Sequence, residues 1–133
     1  MRFSKSKWLA CTLFVGLIPV LTRLVAWLIA NAGVISPCSA PDFIVFGLVL
    51  HVSIINEIEH LPAQDKEWKT LQNGASFVFF SIYSTLYALT LIAERNAALI
   101  NATAMLGSCI TFASISLLLA SLVFRRLSQR RMK

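Results

Sequence analysis

Charged side chains are scarce in this chain of 133 residues, of which 14% are charged and 57% are hydrophobic. A soluble domain of this size would leave much of that apolar surface in water, because small domains bury a smaller fraction of their surface than large ones do. The composition lies well outside the range of soluble domains. It therefore predicts a polytopic membrane protein, with lipid as the solvent for the excess apolar surface.

Motifs that carry chemistry are also lacking. The three cysteines, Cys11, Cys38 and Cys109, show no CxxC spacing, and their odd number gives neither a disulfide framework nor a metal site. No set of nucleophile and base, no metal-ligand cluster and no phosphate-binding loop accompanies the six acidic residues. The sequence therefore predicts a protein that is not an enzyme, with no catalytic residues, no cofactor and no metal ion.

The chain does contain four long apolar runs, which predict helices over residues 8–31, 40–60, 74–93 and 97–124. At about 1.5 Å per residue, runs of this length cross a hydrocarbon core about 30 Å thick. The second apolar run is the shortest, so a buried hairpin is the alternative to a full crossing there. The predicted fold class is all-α, with residues 1–133 forming one transmembrane bundle of four helices.

Arg23 interrupts the first run, which is also too long for a signal peptide, so we interpret that run as a permanent helix. A charged side chain in lipid usually has a partner or faces water. The candidate partners are Asp42 and Glu94, near the outer ends of the second and third helices, and the ring face of Trp27. The structural interpretation is a paired or snorkelling side chain. The functional alternative is a ring of arginines that lines a solvated path in an oligomer.

His51 lies near the middle of the second predicted helix. A lone histidine in a membrane usually forms a hydrogen bond with a hydroxyl on a neighbouring helix, and Ser81, Ser84 and Thr85 of the third helix are the predicted partners. The functional alternative is a proton relay or a pH sensor, because ionisable groups inside membranes are often functional.

Small residues are frequent on the fourth predicted helix, and Ala104, Gly107 and Ser108 are the ones predicted to pack between subunits. Small residues spaced four apart let helix backbones approach each other closely. This pattern predicts packing both within one subunit and between the subunits of a homo-oligomer.

Basic residues cluster near both ends of the chain and in a polar hinge over residues 56–73. If both termini and the hinge are cytoplasmic, ten of the twelve basic residues lie on that side, and Arg95 lies in an external loop. We therefore predict a multi-pass protein of the bacterial inner membrane with a cytoplasmic basic tail, residues 125–133. Direct binding to nucleic acid is not expected, because basic clusters beside apolar helices usually report topology and contact with anionic membrane lipids.

The hinge holds four of the six acidic residues and a tryptophan. It is the internal segment polar enough to contact a soluble partner, and loops on a rigid scaffold often carry function. The residues predicted to bind a cytosolic protein are Glu57, Glu59, Asp65, Glu67 and Trp68. The alternative is a solvated loop whose acids meet the basic ends of the same bundle.

Two segments of the sequence, DFIVFGLVLHVSIINEIE over residues 42–59 and EWKTLQNGASFVFFSIY over residues 67–83, resemble the KwaA family. These proteins are the small four-helix membrane subunits of the Kiwa anti-phage defence system. The two segments cover less than half of the chain. The resemblance implies a membrane sensor or effector of antiviral defence that forms an oligomer and works with a cytosolic, DNA-binding protein similar to KwaB. It carries over no functional residue.

Two other functional classes are alternatives. Small multidrug exporters have a carboxylate in the middle of the first helix, where this chain has Arg23, which argues against proton-coupled cation export. An anion channel or a holin-like pore is the alternative within the transport class. The segment Glu94-Arg95-Asn96 resembles basic and amide residues of small four-helix enzymes that use glutathione, but the rest of that pattern is absent.

Overall fold

Four long helices account for most of the chain. The computed structural model describes residues 5–59, 61 and 63–129. The helices are α1 (Lys5–Ile29), α2 (Ala40–Glu59), α3 (Lys66–Arg95) and α4 (Ala102–Gln129). A 3₁₀ turn precedes α3 (Ala63–Asp65) and another precedes α4 (Ala97–Leu99).

Each of these helices is long and apolar enough to cross a membrane. Only 11% to 39% of the residues in the most apolar window of each helix are buried inside the bundle. The outward faces therefore carry large apolar side chains, such as Phe14 at 70% and Leu28 at 72% exposure. Helices with apolar outward faces need lipid around them, because water would leave that surface unburied. The predicted all-α class is confirmed, and its four helices, each long and apolar enough to cross a membrane, indicate a multi-pass membrane protein.

The third helix begins before its apolar run, with a polar segment that the sequence places in the predicted hinge. α2 ends at Glu59 and α3 begins at Lys66 rather than at residue 74, so most of the predicted hinge, residues 56–73, is helical. Glu67 lies in the first turn of α3, where a carboxylate interacts favourably with the positive end of the helix dipole. An apolar run marks the part of a helix that lies in lipid, whereas good helix formers such as lysine, glutamate and glutamine extend the helix beyond it.

The start of α4 is set by a side-chain cap. The Oδ1 atom of Asn101 accepts a hydrogen bond of 3.0 Å from the backbone N–H of Ala104, so the helix begins at Ala102 rather than at residue 97. At its other end α4 continues to Gln129. Arg125 and Arg126 of the predicted basic tail are therefore helical, and residues 130–133 of that tail lie outside the described residues.

The central element is α2, which packs against α1, α3 and α4. One buried cluster joins α2 to α4 through residues such as Ile54, Ile58 and Val123, and a second surrounds Tyr83 of α3. Gly47 of α2 makes room for Tyr83, because a Cβ atom at this position would overlap the end of the phenol ring. A residue without a side chain is needed where the ring lies against the helix backbone.

The two ends of the bundle differ in their side chains. At one end the start of α1 and the end of α2 meet the start of α3 and the end of α4, and Lys7, Lys69, Arg125 and Arg126 lie there. We call this the basic end. At the opposite end, the loop end, the α1–α2 connection lies beside the α3–α4 connection, and a cavity of about 420 Å³ between them is lined by Cys38 and Glu94, among others.

Candidate functional site

His51 lies at the centre of a buried polar network that joins three helices. Its side chain is fully buried, and its ring stacks on Phe79 with the two ring centroids 4.6 Å apart. The Nδ1 atom of His51 is 3.1 Å from the hydroxyl of Ser76 on α3, and the Nε2 atom is 2.9 Å from the hydroxyl of Ser116 on α4. The hydroxyl of Tyr83 is 2.6 Å from the same Ser116 hydroxyl. The network therefore ties α2, α3 and α4 together in the apolar interior.

A neutral His51 with its hydrogen on Nε2 gives each hydrogen bond of the network a direction. Ser116 donates its single hydroxyl hydrogen to the carbonyl oxygen of Phe112, 2.9 Å away on the same helix. Its oxygen then accepts from both the Nε2–H group of His51 and the hydroxyl of Tyr83. Nδ1 of His51 is left as the acceptor of the Ser76 hydroxyl. This arrangement suits a neutral imidazole with the hydrogen on Nε2, and each polar group in it has a partner.

The partners of His51 are hydroxyls, as the sequence predicts, but they are not the predicted serines and threonine of α3. Ser81 and Thr85 are exposed, and their hydroxyls donate to carbonyl oxygens of their own helix, those of Phe77 and Ser81. Ser84 is also exposed. These residues share a face of α3 that points away from α2, whereas Ser76 lies on the buried face. The sequence offers many serines and gives no local signal that selects Ser76 and Ser116.

Arg23 and Asp42 form a salt bridge between α1 and the first turn of α2. The Nε–H group of Arg23 donates to Oδ2 of Asp42. Of the two predicted acidic partners, the structure pairs Arg23 with Asp42, whereas Glu94 is exposed and has no ion pair within the described ranges. The Arg23 side chain is 31% exposed and the Asp42 side chain is 13% exposed, so the pair lies at the edge of the bundle near its loop end. The ion pair compensates the charge that interrupts the first apolar run.

A long groove lies beside α2, between α1 and α3. We call it the α1–α3 groove; its volume is about 830 Å³. Its walls are mostly apolar and include Val15 of α1, Val45 and Val52 of α2, and Phe77 of α3. Within it, the hydroxyls of Thr12 and Ser53 are 2.7 Å apart and link α1 to α2.

The basic end is organised by two contacts between elements. The guanidinium carbon of Arg126 lies 4.4 Å from the ring centroid of Trp68, a cation–π contact that joins α4 to α3. The ammonium of Lys69 donates a hydrogen bond of 2.8 Å to the backbone carbonyl of Glu59, which joins α3 to the end of α2. These contacts hold the start of α3 in place against the ends of α2 and α4.

The five residues predicted to bind a partner protein do not share one exposed surface. Asp65 is only 5% exposed, and Trp68 is half-buried beneath Arg126, so neither presents its side chain freely at the surface. Glu59 and Glu67 are exposed and Glu57 is half-buried. The accessible part of the predicted set is therefore its three glutamates.

The small residues predicted to pack between subunits lie mostly on the outside of the bundle. Ala104 and Gly107 are exposed and Ser108 is half-buried. Apart from its chain neighbours and the adjoining backbone of α4 itself, no atom lies within 4 Å of the position that a Cβ atom would take at Gly107. The packing within one subunit that the sequence also predicts therefore does not use Gly107.

Comparisons with protein-family models, with curated proteins and with solved structures found no match for this chain. Function is therefore inferred from the residues and contacts described above.

Proposed function

We propose that this protein is a non-enzymatic membrane subunit that forms a homo-oligomer and recruits a cytosolic protein to its basic end. The observation that carries the proposal is the mixed charge of that end. Three accessible glutamates, Glu57, Glu59 and Glu67, lie at the same end as Arg125 and Arg126. Charges of both signs on a rigid surface steer and orient a charged partner.

The rigidity of the basic end supports the same proposal. The contacts of Arg126 with Trp68 and of Lys69 with Glu59 fix the relative positions of α2, α3 and α4 at this end. A surface with fixed geometry loses less conformational entropy when a partner binds than a free loop does. The helical start of α3 therefore favours docking over the alternative of a solvated connector.

The proposed orientation places the basic end in the cytoplasm of a bacterial cell, with the chain in the inner membrane, because lysine and arginine are enriched on the cytoplasmic side of such proteins. Alkaline phosphatase fused after Lys69 should then be inactive, and phosphatase fused after Asn96 should be active. The reverse pattern would place the basic end outside. The resemblance to the KwaA family supports a role in anti-phage defence and a DNA-binding partner similar to KwaB.

Co-purification tests the recruitment. The double variant Glu57→Lys with Glu67→Lys should lose a cytosolic protein that the wild type retains, because two attractive charges become repulsive. The difference in retention between the wild type and the double variant should be smaller at high salt, because salt screens exposed charges. The matched control is Glu94→Lys, which reverses an exposed glutamate of α3 at the loop end. Equal retention by the double variant and the wild type would reject the docking surface.

The pairing of Arg23 bears on the alternative of a small channel, a holin-like pore or a transporter. A ring of arginines that lines a solvated path requires the guanidinium to face that path. In the bundle the Nε–H group of Arg23 instead contacts Asp42 of the same chain. The ion pair favours the structural interpretation of Arg23, so we do not propose a pore.

A further inference from the structure

The α1–α3 groove is somewhat longer than the hydrocarbon part of one membrane leaflet. Its lining on α2 runs from Val45 to Glu59, which corresponds to about 21 Å at 1.5 Å per residue. Half of a hydrocarbon core about 30 Å thick is about 15 Å. An acyl chain of one leaflet can therefore lie along the whole apolar part of the groove. The apolar wall is open to such a chain, since Val52 is 56% exposed and Phe77 is 62% exposed.

The groove becomes polar at the basic end. There its lining includes Asn56 and Glu59 of α2, with Trp8 of α1 on the opposite wall. Tryptophan is enriched at membrane–water interfaces, which puts this mouth at the level of the lipid headgroups. The groove therefore leads from the headgroup level into the hydrocarbon core, as a bound phospholipid would.

The charges at the mouth distinguish between headgroups. Within the described part of the chain, the carboxylate of Glu59 has no ion-pair partner. The backbone carbonyl oxygen of the same residue accepts a hydrogen bond from the ammonium of Lys69, which lies outside the groove lining. The mouth thus offers a carboxylate and an amide oxygen to the ammonium of a headgroup.

We propose that the α1–α3 groove is a binding site for phosphatidylethanolamine. One acyl chain lies along the valine and phenylalanine wall, and the ammonium of the headgroup donates to Glu59 and Asn56. A primary ammonium has three N–H donors and forms charge-assisted hydrogen bonds with a carboxylate. The trimethylammonium of phosphatidylcholine has no N–H donor, and phosphatidylglycerol has a net negative charge and no ammonium to pair with Glu59.

Native mass spectrometry of the purified full-length chain, stripped of lipid in mild detergent, tests the headgroup. The probes are phosphatidylethanolamine, phosphatidylcholine and phosphatidylglycerol with identical acyl chains. Phosphatidylethanolamine should bind about two- to fivefold more tightly than phosphatidylcholine, because both headgroups are cationic but only the primary ammonium donates hydrogen bonds to the exposed carboxylate. Glu59→Gln should abolish this preference. Glu57→Gln, on the same helix but outside the groove lining, should retain it.

A second pair of variants tests the position of the acyl chain. Val52→Trp should abolish the binding of phosphatidylethanolamine, because the added ring fills the groove from an exposed position and disturbs no buried contact. The matched control is Val78→Trp, at an exposed position of α3 outside the groove lining.

Several results would overturn the proposal: equal binding of phosphatidylethanolamine and phosphatidylcholine, preference for phosphatidylglycerol, or binding that Val52→Trp leaves unchanged. A change of oligomer mass in Val52→Trp without loss of lipid would instead identify a second copy of the chain as the occupant. No cytosolic protein is present in these measurements. The result is therefore independent of the docking test, which leaves Glu59 intact.

Discussion

At the scale of single residues, Ser116 is the residue on which the polar interior depends. It accepts hydrogen bonds from His51 and Tyr83 and so connects side chains of α2 and α3 to α4. A buried donor that loses its acceptor is costly, because nothing in an apolar interior replaces the lost hydrogen bond. We interpret the network as a device that fixes the rotation of three helices, since each helix must present one particular face for the bonds to form.

Ser116→Ala should destabilise the bundle. The substitution leaves the Nε2–H group of His51 and the hydroxyl of Tyr83 without their acceptor, at a cost of about 1–3 kcal/mol for a buried unsatisfied group. Thermal unfolding of the purified protein in mild detergent measures the loss. The matched control is Ser114→Ala on the same helix, whose exposed hydroxyl donates only to the carbonyl oxygen of Ile110. An equal change in the two variants would show that the network contributes nothing.

Gly47→Ala should also destabilise the bundle, for a steric reason. The added Cβ atom would overlap the ring of Tyr83, which cannot move aside because it is fully buried and bonded to Ser116. Overpacking of this kind costs about 1–3 kcal/mol. Gly74→Ala is the control, since its Cβ atom meets no neighbour and alanine favours the helix by about 0.5–1 kcal/mol. Unfolding curves that shift in the same direction for both variants would contradict the packing argument.

At the scale of elements, α1 is held to α2 by polar contacts at two levels. The Arg23–Asp42 ion pair lies near the loop end, and the Thr12–Ser53 hydrogen bond lies nearer the basic end. Between these levels Gly16 of α1 allows close packing, because a Cβ atom there would approach Phe46 of α2 to 2.9 Å. These contacts fix the register of α1 along α2.

A double-mutant cycle measures the ion pair. Arg23→Gln and Asp42→Asn should each lower stability, and the double variant should lose less than the sum, with a coupling energy of about 0.5–3 kcal/mol for residues in contact. The control cycle combines Arg23→Gln with Glu94→Gln, an exposed acid of the loop end. That cycle should be additive. A coupling energy near zero for Arg23 and Asp42 would mean that each side chain is solvated independently.

The observed bounds of α2 agree with its predicted bounds, whereas those of α3 do not. The α2 helix extends from Ala40 to Glu59, close to the predicted residues 40–60, and is long enough to cross a membrane. This length disfavours the hairpin alternative. In α3 the polar residues before the apolar run continue the helix, so composition alone underestimated its length by the whole segment from Lys66 to Asn73.

At the scale of the whole molecule, the exposed face of α4 is the surface on which self-association is predicted to occur. Gly107→Leu should reduce the particle mass measured by light scattering in mild detergent, because a large side chain separates helix backbones that small residues bring together. The matched control is Gly74→Leu, also at an exposed helical glycine with open space around it. If neither variant changes the particle mass, the oligomer uses a different surface or does not form.

The sequence by itself determined that the chain is a bundle of four apolar helices with charge concentrated at one end, because run length and charge position are local properties. It also identified Arg23 and His51 as polar residues that need partners. The tertiary structure alone decided that Ser76 and Ser116 meet His51, that Tyr83 is buried whereas Tyr87, one turn along, is 51% exposed, and that a groove opens between α1 and α3. These outcomes depend on the rotation of each helix about its axis, which is set by many weak contacts between distant residues and therefore leaves no signal in a single segment.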